Sequence, residues 1–252
     1  MGSPFYDAGL KVKRADEHIK NLYTRLREFS DTRPYSIIVN HDPNGGDDSI
    51  QIKSTQPVPD DVLLIIGDAL HNLRSALDYA LYGILTKGDE YSKFPIYQTR
   101  DKLVAAVNGG LKHKTTATII SLIVDTIQPY EGGAGDLLWH LHNLNIIDKH
   151  MLLLAKTHFD FVKNICAVDE RGEYLVFPDW LIVEGKIASY TTAGHRNIKI
   201  THKGQATSTI VFGNGMPLAG QMILPTIRAM SVLVNQTIGL ISFIWNQHSP
   251  RP

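Results

Sequence analysis

A single cysteine, Cys166, stands among 252 residues, which excludes an intramolecular disulfide framework and a cysteine-rich zinc site. That scarcity suits a reducing compartment, so the sequence-level expectation is a cytoplasmic protein. Net charge is lacking too: 25 Lys and Arg balance 25 Asp and Glu. No global field therefore draws nucleic acid or a membrane surface to the chain, and an anionic partner has to be held by a local patch. No run of about 18 apolar residues occurs, and MGSPFYDAGLKVKRADEHIK at the start is charged where a secretory signal needs an apolar stretch. Neither a membrane span nor export is expected. The usual catalytic signatures are missing as well. GNG at 213–215 and the GG pairs at 109–110 and 132–133 read as turns, and there is no Walker loop, GxGxxG, GxSxG or HExxH. No cofactor is expected.

What is present points to an α+β fold. Hydrophobic residues make up 43% of the chain, an ordinary globular share, and the length sits at the upper edge of one core. We expect a single α+β domain over 1–252, with a helical core at 1–155 and 217–246 and a β-rich insertion at 157–213. The core would be a bundle of long helices. The first, 5–29, places Leu10, Ile19, Leu22, Tyr23 and Leu26 at roughly helical spacing. A β-hairpin near 34–54 follows from the β-branched runs PYSIIVN and DSIQIKS flanking HDPNGGD, where Asn44, Gly45 and Gly46 tolerate positive φ.

The helix expected at 59–87 has the clearest signals, opened by Pro59, Asp60 and Asp61 and closed by Gly88. At 100° per residue, Leu63, Ile66, Leu70, Leu73, Ala76, Leu77, Ala80, Leu81 and Ile84 share one face. Asp68, His71, Asn72, Ser75, Asp78, Tyr79 and Tyr82 gather opposite. Arg74 sits at the border, three residues from His71 and four from Asp78, within reach of both across one turn. Shorter helices are expected at 99–107 and 115–128. A further long helix at 134–155 carries Leu137, Leu138, Leu141, Leu144, Ile147 and Leu152, and projects His142, Asn145 and Lys149 to one side with Asp148 and His150 flanking it. Residues 157–213 alternate strand and turn formers and read as an antiparallel meander. The last helix starts at Pro217, with Pro225 either kinking it or marking its true beginning.

The run GDALHNLRSALDYALYGIL at 67–85, then FPI, IQPY and LWHLHNLNIIDKH, resembles a widespread group of uncharacterised bacterial and phage proteins over roughly residues 1–155. In that group the run tends to read GDALHNLRSALDHL. Arg, four residues, then His looks like the ribonuclease signature of the HEPN superfamily; here the Arg is Arg74 and the His position holds Tyr79. The resemblance implies a helical protein that cuts RNA without metal, with its Arg and His contributed across a dimer interface. RNA and a second copy are the implied partners, in bacterial or phage conflict.

That chemistry needs a base for the ribose 2′-hydroxyl, an acid for the leaving oxygen and a fixed cation for charge on phosphorus. Arg74 suits the cation, since a guanidinium matches phosphate oxygens bidentately. A tyrosine, with an ordinary pKa of about 10, does not replace histidine as the base but can donate a hydrogen bond or a proton. His71, one turn before Arg74, is the alternative base, and Asp78 completes the candidate catalytic set. Asp68, Asn72, His142, Asp148, Lys149 and His150 are the candidate binding residues. The competing reading is a buried network, in which Asp68, His71, Arg74 and Asp78 satisfy His142, Asp148, Lys149 and His150 and fix the packing of two helices in a non-enzymatic module. Asp68, His71 and Asp78 on one helix and His142, Asp148 and His150 on the other offer nitrogen and oxygen ligands, but at no metalloenzyme spacing, so no metal is expected. KVKR at 11–14 and LKHK at 111–114 are solvated faces unless the fold places them beside Arg74.

Overall fold

A computed structural model describes residues 3–41, 43–44, 48–85, 93–177, 180–183, 186–187 and 194–248. The fold is α+β. The chain divides into two compact units, one of Met1–Thr24, Asp60–Leu154 and Phe212–Pro252, the other of Arg25–Pro59 and Ala155–Val211. The hairpin expected with the helical core clusters instead with the later β-rich segment.

The helical unit is built on α1 (Tyr6–Asp31, through Thr24), α2 (Asp60–Tyr82), α3 (Arg100–Ala106), α4 (Ala117–Ser121), α5 (Asp136–Asp148) and α6 (Ile223–His248). In α2, Asp60 and Asp61 occupy the first turn, where carboxylates complement the helix dipole. Its apolar face is buried as the 3.6-residue period requires, from Ile66 through Leu70, Leu73 and Leu77 to Leu81, each fully enclosed. Val62 rather than Leu63 begins that face. α2 packs against α5 and α6, and α5 against α6. On α1 the buried stripe is Ala8, Val12, Ala15, Ile19 and Leu22, while Leu10 and Tyr23 are about half exposed. Weighting the large side chains of α1 misses two alanines, which the interior accepts because small residues let other groups approach closely.

Two expected helices are shorter than their periodicity. α2 ends at Tyr82, and a Cβ on Gly83 would lie 2.3 Å from the carbonyl oxygen of Pro4, so the chain turns where only glycine fits. Gly88, the expected stop, lies outside the described residues, as do Gly45 and Gly46 of the hairpin turn. α5 ends at Asp148 instead of 155. Residue 151 bends and 152–154 are irregular, with Leu153 buried and the Leu154 carbonyl accepting a 2.8 Å hydrogen bond from Gly213 N–H. Thr99 and Thr116 cap α3 and α4 through their hydroxyls, and each helix continues into a π-helical turn, Val107–Leu111 and Leu122–Ile127. Pro225 marks a beginning rather than a kink: α6 starts at Ile223, so Pro225 lies in the first turn, where its missing N–H costs no helical bond. By length and composition alone, Ile223–Gln247 is apolar enough to cross a membrane. One face of it, Ile227, Met230, Val234, Ile238 and Ile241, is buried within this unit.

The second unit is a sheet of β1 (Tyr35–Asn40), β2 (Ser49–Ser54), β3 (Ala155–Val168), β4 (Tyr174–Phe177), β5 (Trp180–Val183), β6 (Lys186–Ile187) and β7 (Lys199–Phe212). The order is β1-β2-β6-β5-β3-β4, with β7 paired to β3. The expected hairpin pairs antiparallel from Tyr35↔Ser54 to Asn40↔Ser49. Tyr35, Ile50, Ile52, Phe159, Val162, Ile165, Ala167, Phe177 and Ile198 form its core. Tyr35 and Phe159 meet edge to face at 5.9 Å.

Candidate functional site

The candidate residues fall into two groups on the α2–α5 pair of the helical unit. The first centres on Arg74, which is only 5% exposed, as the reading of a buried network requires and a phosphate-binding role does not. Three partners hold its guanidinium. Nη1 donates to Asp78 Oδ1, Nη2 donates to the Phe94 carbonyl at 2.9 Å, and Nε donates to His142 Nδ1 at 3.3 Å. Asp78 closes the ring by accepting the Phe94 N–H at 2.7 Å. The segment FPI is therefore pinned to α2 through both backbone groups of Phe94, whose ring is itself buried. A buried charge demands this: without partners a guanidinium in the interior costs several kcal/mol.

His142 pays for its position in proton affinity. Burial, and then the Arg74 charge, lower its pKa to about 4, with Lys149 and Lys93 acting the same way and Asp78 opposing them. The ring is therefore neutral near pH 7, and the hydrogen bond fixes its tautomer: Nδ1 accepts, so Nε2 carries the proton. Trp139 lies beside it, ring centroids 6.2 Å apart.

The second group gathers around Gly67. A Cβ at this position would lie 2.2 Å from Asp148 Oδ1, so the carboxylate of α5 packs directly on the backbone of α2. Asp148 has its pKa raised by burial first and by the Asp68 charge second, with His71 opposing. Asp68 also faces His18 of α1 at 4.0 Å, and Asn72 donates to the Asp68 carbonyl at 2.8 Å. His71 is exposed. Substituting Gly67→Ala is expected to cost about 1 kcal/mol, the balance of overpacking against better helix propensity. Adding Asp148→Ala should restore or exceed wild-type stability in urea unfolding; a further loss would contradict the contact.

Tyr79 is 43% exposed, with Lys11 Nζ 5.7 Å from its ring centroid. KVKR thus does approach α2, at Tyr79 rather than at Arg74. Lys149 and His150 do not join the network expected of them. α5 stops at Asp148, and both residues are exposed in the turn that follows.

One cluster was not foreseen. Among the described residues, Asp169, Glu173 and His195 of the β unit bring ligand-type atoms within 4.8 Å of one another. Asp169 is fully enclosed. Its Oδ1 accepts from the Arg171 and Glu173 N–H groups at 2.9 and 2.8 Å, and its Oδ2 meets His195 Nδ1 at 2.9 Å and Arg171 Nε at 3.5 Å. With a guanidinium already against the carboxylate, this is a clasp between the β3–β4 turn and the segment before β7. The turn VDERGEY was legible in sequence, but nothing marks His195, far along the chain, as its partner. The His195 hydrogen bond holds the Asp169 carboxyl below the usual range, against the effect of burial. A depressed carboxyl stabilises the fold above its unfolded pKa of about 4 and loses that stabilisation as pH falls through the folded value. Asp169→Asn should abolish this acid-dependent component, read by hydrogen exchange over 155–177.

Comparison with known proteins brings no match to a family model, a curated protein or a solved structure. The HEPN resemblance therefore rests on the residues quoted for it.

Proposed function

We propose that this chain is a non-enzymatic interaction module, a HEPN-like bundle of long helices in which the Arg of the signature serves the fold. The enclosure of Arg74 carries the reading. A catalytic guanidinium has to reach phosphate oxygens, whereas this one is buried and each of its three nitrogens already donates within the fold, to Asp78, His142 and the Phe94 carbonyl. The neutral His142 supports the same view, since an imidazole with a pKa of about 4 that is held as an acceptor by Arg74 serves poorly as a base near pH 7. A double-mutant cycle tests it. Arg74→Ala and His142→Ala, alone and together, should show a coupling of about 1 kcal/mol in urea unfolding. Additive effects would contradict a shared network.

A second reading keeps RNA as the partner. It is favoured by the exposure of His71 and Tyr79 on the polar side of α2, with Lys11 beside Tyr79 and Asp148 biased toward its protonated form. On that reading His71 is the base, Asp148 or Tyr79 the acid, and Asp68 and Asn72 orient the site. His71→Ala should then abolish cleavage of RNA in EDTA while leaving the unfolding midpoint unchanged. A wild-type protein that neither binds nor cleaves RNA removes this reading.

A further inference from the structure

Residues 169–173 carry the chain from β3 to β4 and close as a tight loop. The Asp169 N–H donates to the Glu173 carbonyl at 3.1 Å, and Gly172, at a φ of 80° that suits glycine, donates to the Asp169 carbonyl at 3.0 Å. The segment before β7 is tied to this loop at three points outside the Asp169–His195 pair. The Glu170 N–H donates to the Arg196 carbonyl at 3.1 Å, Arg171 Nη2 to the Gly194 carbonyl at 2.8 Å, and Asn197 Nδ2 to Glu170 Oε2 at 2.8 Å. His195 is thereby delivered to two carboxylates, its Nδ1 lying 2.9 Å from Asp169 Oδ2 and 3.9 Å from Glu173 Oε2. One ring nitrogen holds one proton, which serves Asp169; Glu173 stands too far away to share it.

We propose that Asp169, Glu173 and His195 form a binding site for one divalent cation of the zinc class, bonded to Asp169 Oδ2, Glu173 Oε2 and His195 Nδ1, with water completing the shell. The metal takes the place of the proton on Nδ1, and the ring binds as its Nε2–H tautomer; a ring that is charged beforehand releases one proton to water. The ligand atoms of a tetrahedral zinc, at bond lengths of about 2.0–2.2 Å, stand about 3.3 Å from one another. The three atoms here lie within 4.8 Å of one another, and closing to that spacing asks movement chiefly of Glu173, whose side chain is 59% exposed. Asp169 is already set. Its side chain is fully enclosed, and the Arg171 and Glu173 N–H groups fix Oδ1, which aims Oδ2 at the imidazole. Outer hydrogen bonds of this kind orient the carboxylates that bind metals.

Arg171 does not fill the site. Its Nε stands 3.5 Å from Asp169 Oδ2 while its Nη2 is held by the Gly194 carbonyl, and a carboxylate oxygen accepts from a guanidinium and bonds a cation through separate lone pairs. Two carboxylates outweigh that one guanidinium, so the cluster favours a cation. The donor set chooses which. Calcium and magnesium take oxygen ligands, so an imidazole nitrogen disfavours them. The softest ions want thiolates, and none is among the three; one nitrogen, two carboxylates and an open position suit zinc. Bound metal joins the β3–β4 loop to the segment before β7 only when both are folded, so it strengthens the β unit whichever reading of the helical unit holds.

Titration of the untagged full chain with zinc chloride, after removal of metal with EDTA and in competition with a chromogenic chelator, is the first test. The wild type should bind zinc, and His195→Ala and Glu173→Gln should each weaken that binding by at least about tenfold. The chain has 11 histidines, so a second readout localises the metal. The Glu170 amide, which bridges the loop and the segment, should exchange about tenfold more slowly when free zinc is about ten times its Kd, while the Phe94 amide of the helical unit should not change. This measurement uses the wild type and stands even where a variant misfolds. No zinc bound at about 100 μM, binding unchanged in both variants, protection at Phe94 without protection at Glu170, or tighter binding of calcium than of zinc overturns the proposal.

Discussion

Arg74→Ala is expected to lower the unfolding free energy by about 2 kcal/mol, because removing the buried cation leaves a part-buried carboxylate without its counterion. The loss has a specific structure. Asp78 keeps its carboxylate but loses its counterion, the Phe94 carbonyl loses its donor, and His142 Nδ1 loses its hydrogen-bond donor. Arg74→Lys should recover only part of this, since an ammonium lacks the planar fork that serves three acceptors in different directions. Urea unfolding reads both variants. Because FPI is held to α2 through Phe94, the Phe94 amide should also exchange faster in Arg74→Ala than in wild type. A variant as stable as wild type would mean that the network carries no weight.

The second large effect is a dependence on pH. His142 has a folded pKa of about 4 against an ordinary value of 6.5. Above pH 6.5 the ring is neutral in both states and its contribution is constant. As pH falls from 6.5 toward 4, the unfolded chain takes up a proton that the native site refuses, so stability declines with a slope approaching one proton. Below about 4 the slope ends, because both states are charged. His142→Asn should flatten this window. Asp148 acts oppositely: its raised carboxyl pKa favours the fold at low pH and loses that contribution as pH rises through the folded value. Asp148→Asn is therefore expected to stabilise the protein at pH 7 and to leave the His142 slope in place. An NMR titration of His142 showing a midpoint near 6.5 would contradict the burial and charge that define the site.

The sequence revealed much of the secondary structure because its signals are local. The α2 face from Ile66 to Leu81, the paired strands of the hairpin near 34–54 and the helices begun near 99 and 115 all follow from periodicity and turn chemistry within one segment. What escaped depends on distant neighbours. Pro4 lies against Gly83 just past the end of α2, and Gly213 donates to the Leu154 carbonyl beyond the end of α5; neither contact is visible in the local pattern. At the candidate site, the sequence placed Arg74 within reach of Asp78 through their four-residue spacing, and proposed His142 as a partner from the facing helix. It did not reveal Phe94, whose contribution is made through backbone atoms that any residue type possesses. Nor did it show that Arg74 turns inward, since a position at the border of a polar stripe is compatible with either side. The grouping of Asp148 with Gly67 and Asp68 is of the same kind, because a glycine reserved for a carboxylate looks in sequence like any other helical glycine.

The central claim is that Arg74 holds the fold together and does not act on RNA, and cleavage of total RNA in EDTA by the wild type and Arg74→Ala, with the folded fraction of each known, tests it most directly. The account predicts no cleavage above a buffer control, or equal cleavage in both. Cleavage by the wild type that disappears in a folded Arg74→Ala protein would contradict it and assign the guanidinium to a metal-independent ribonuclease site.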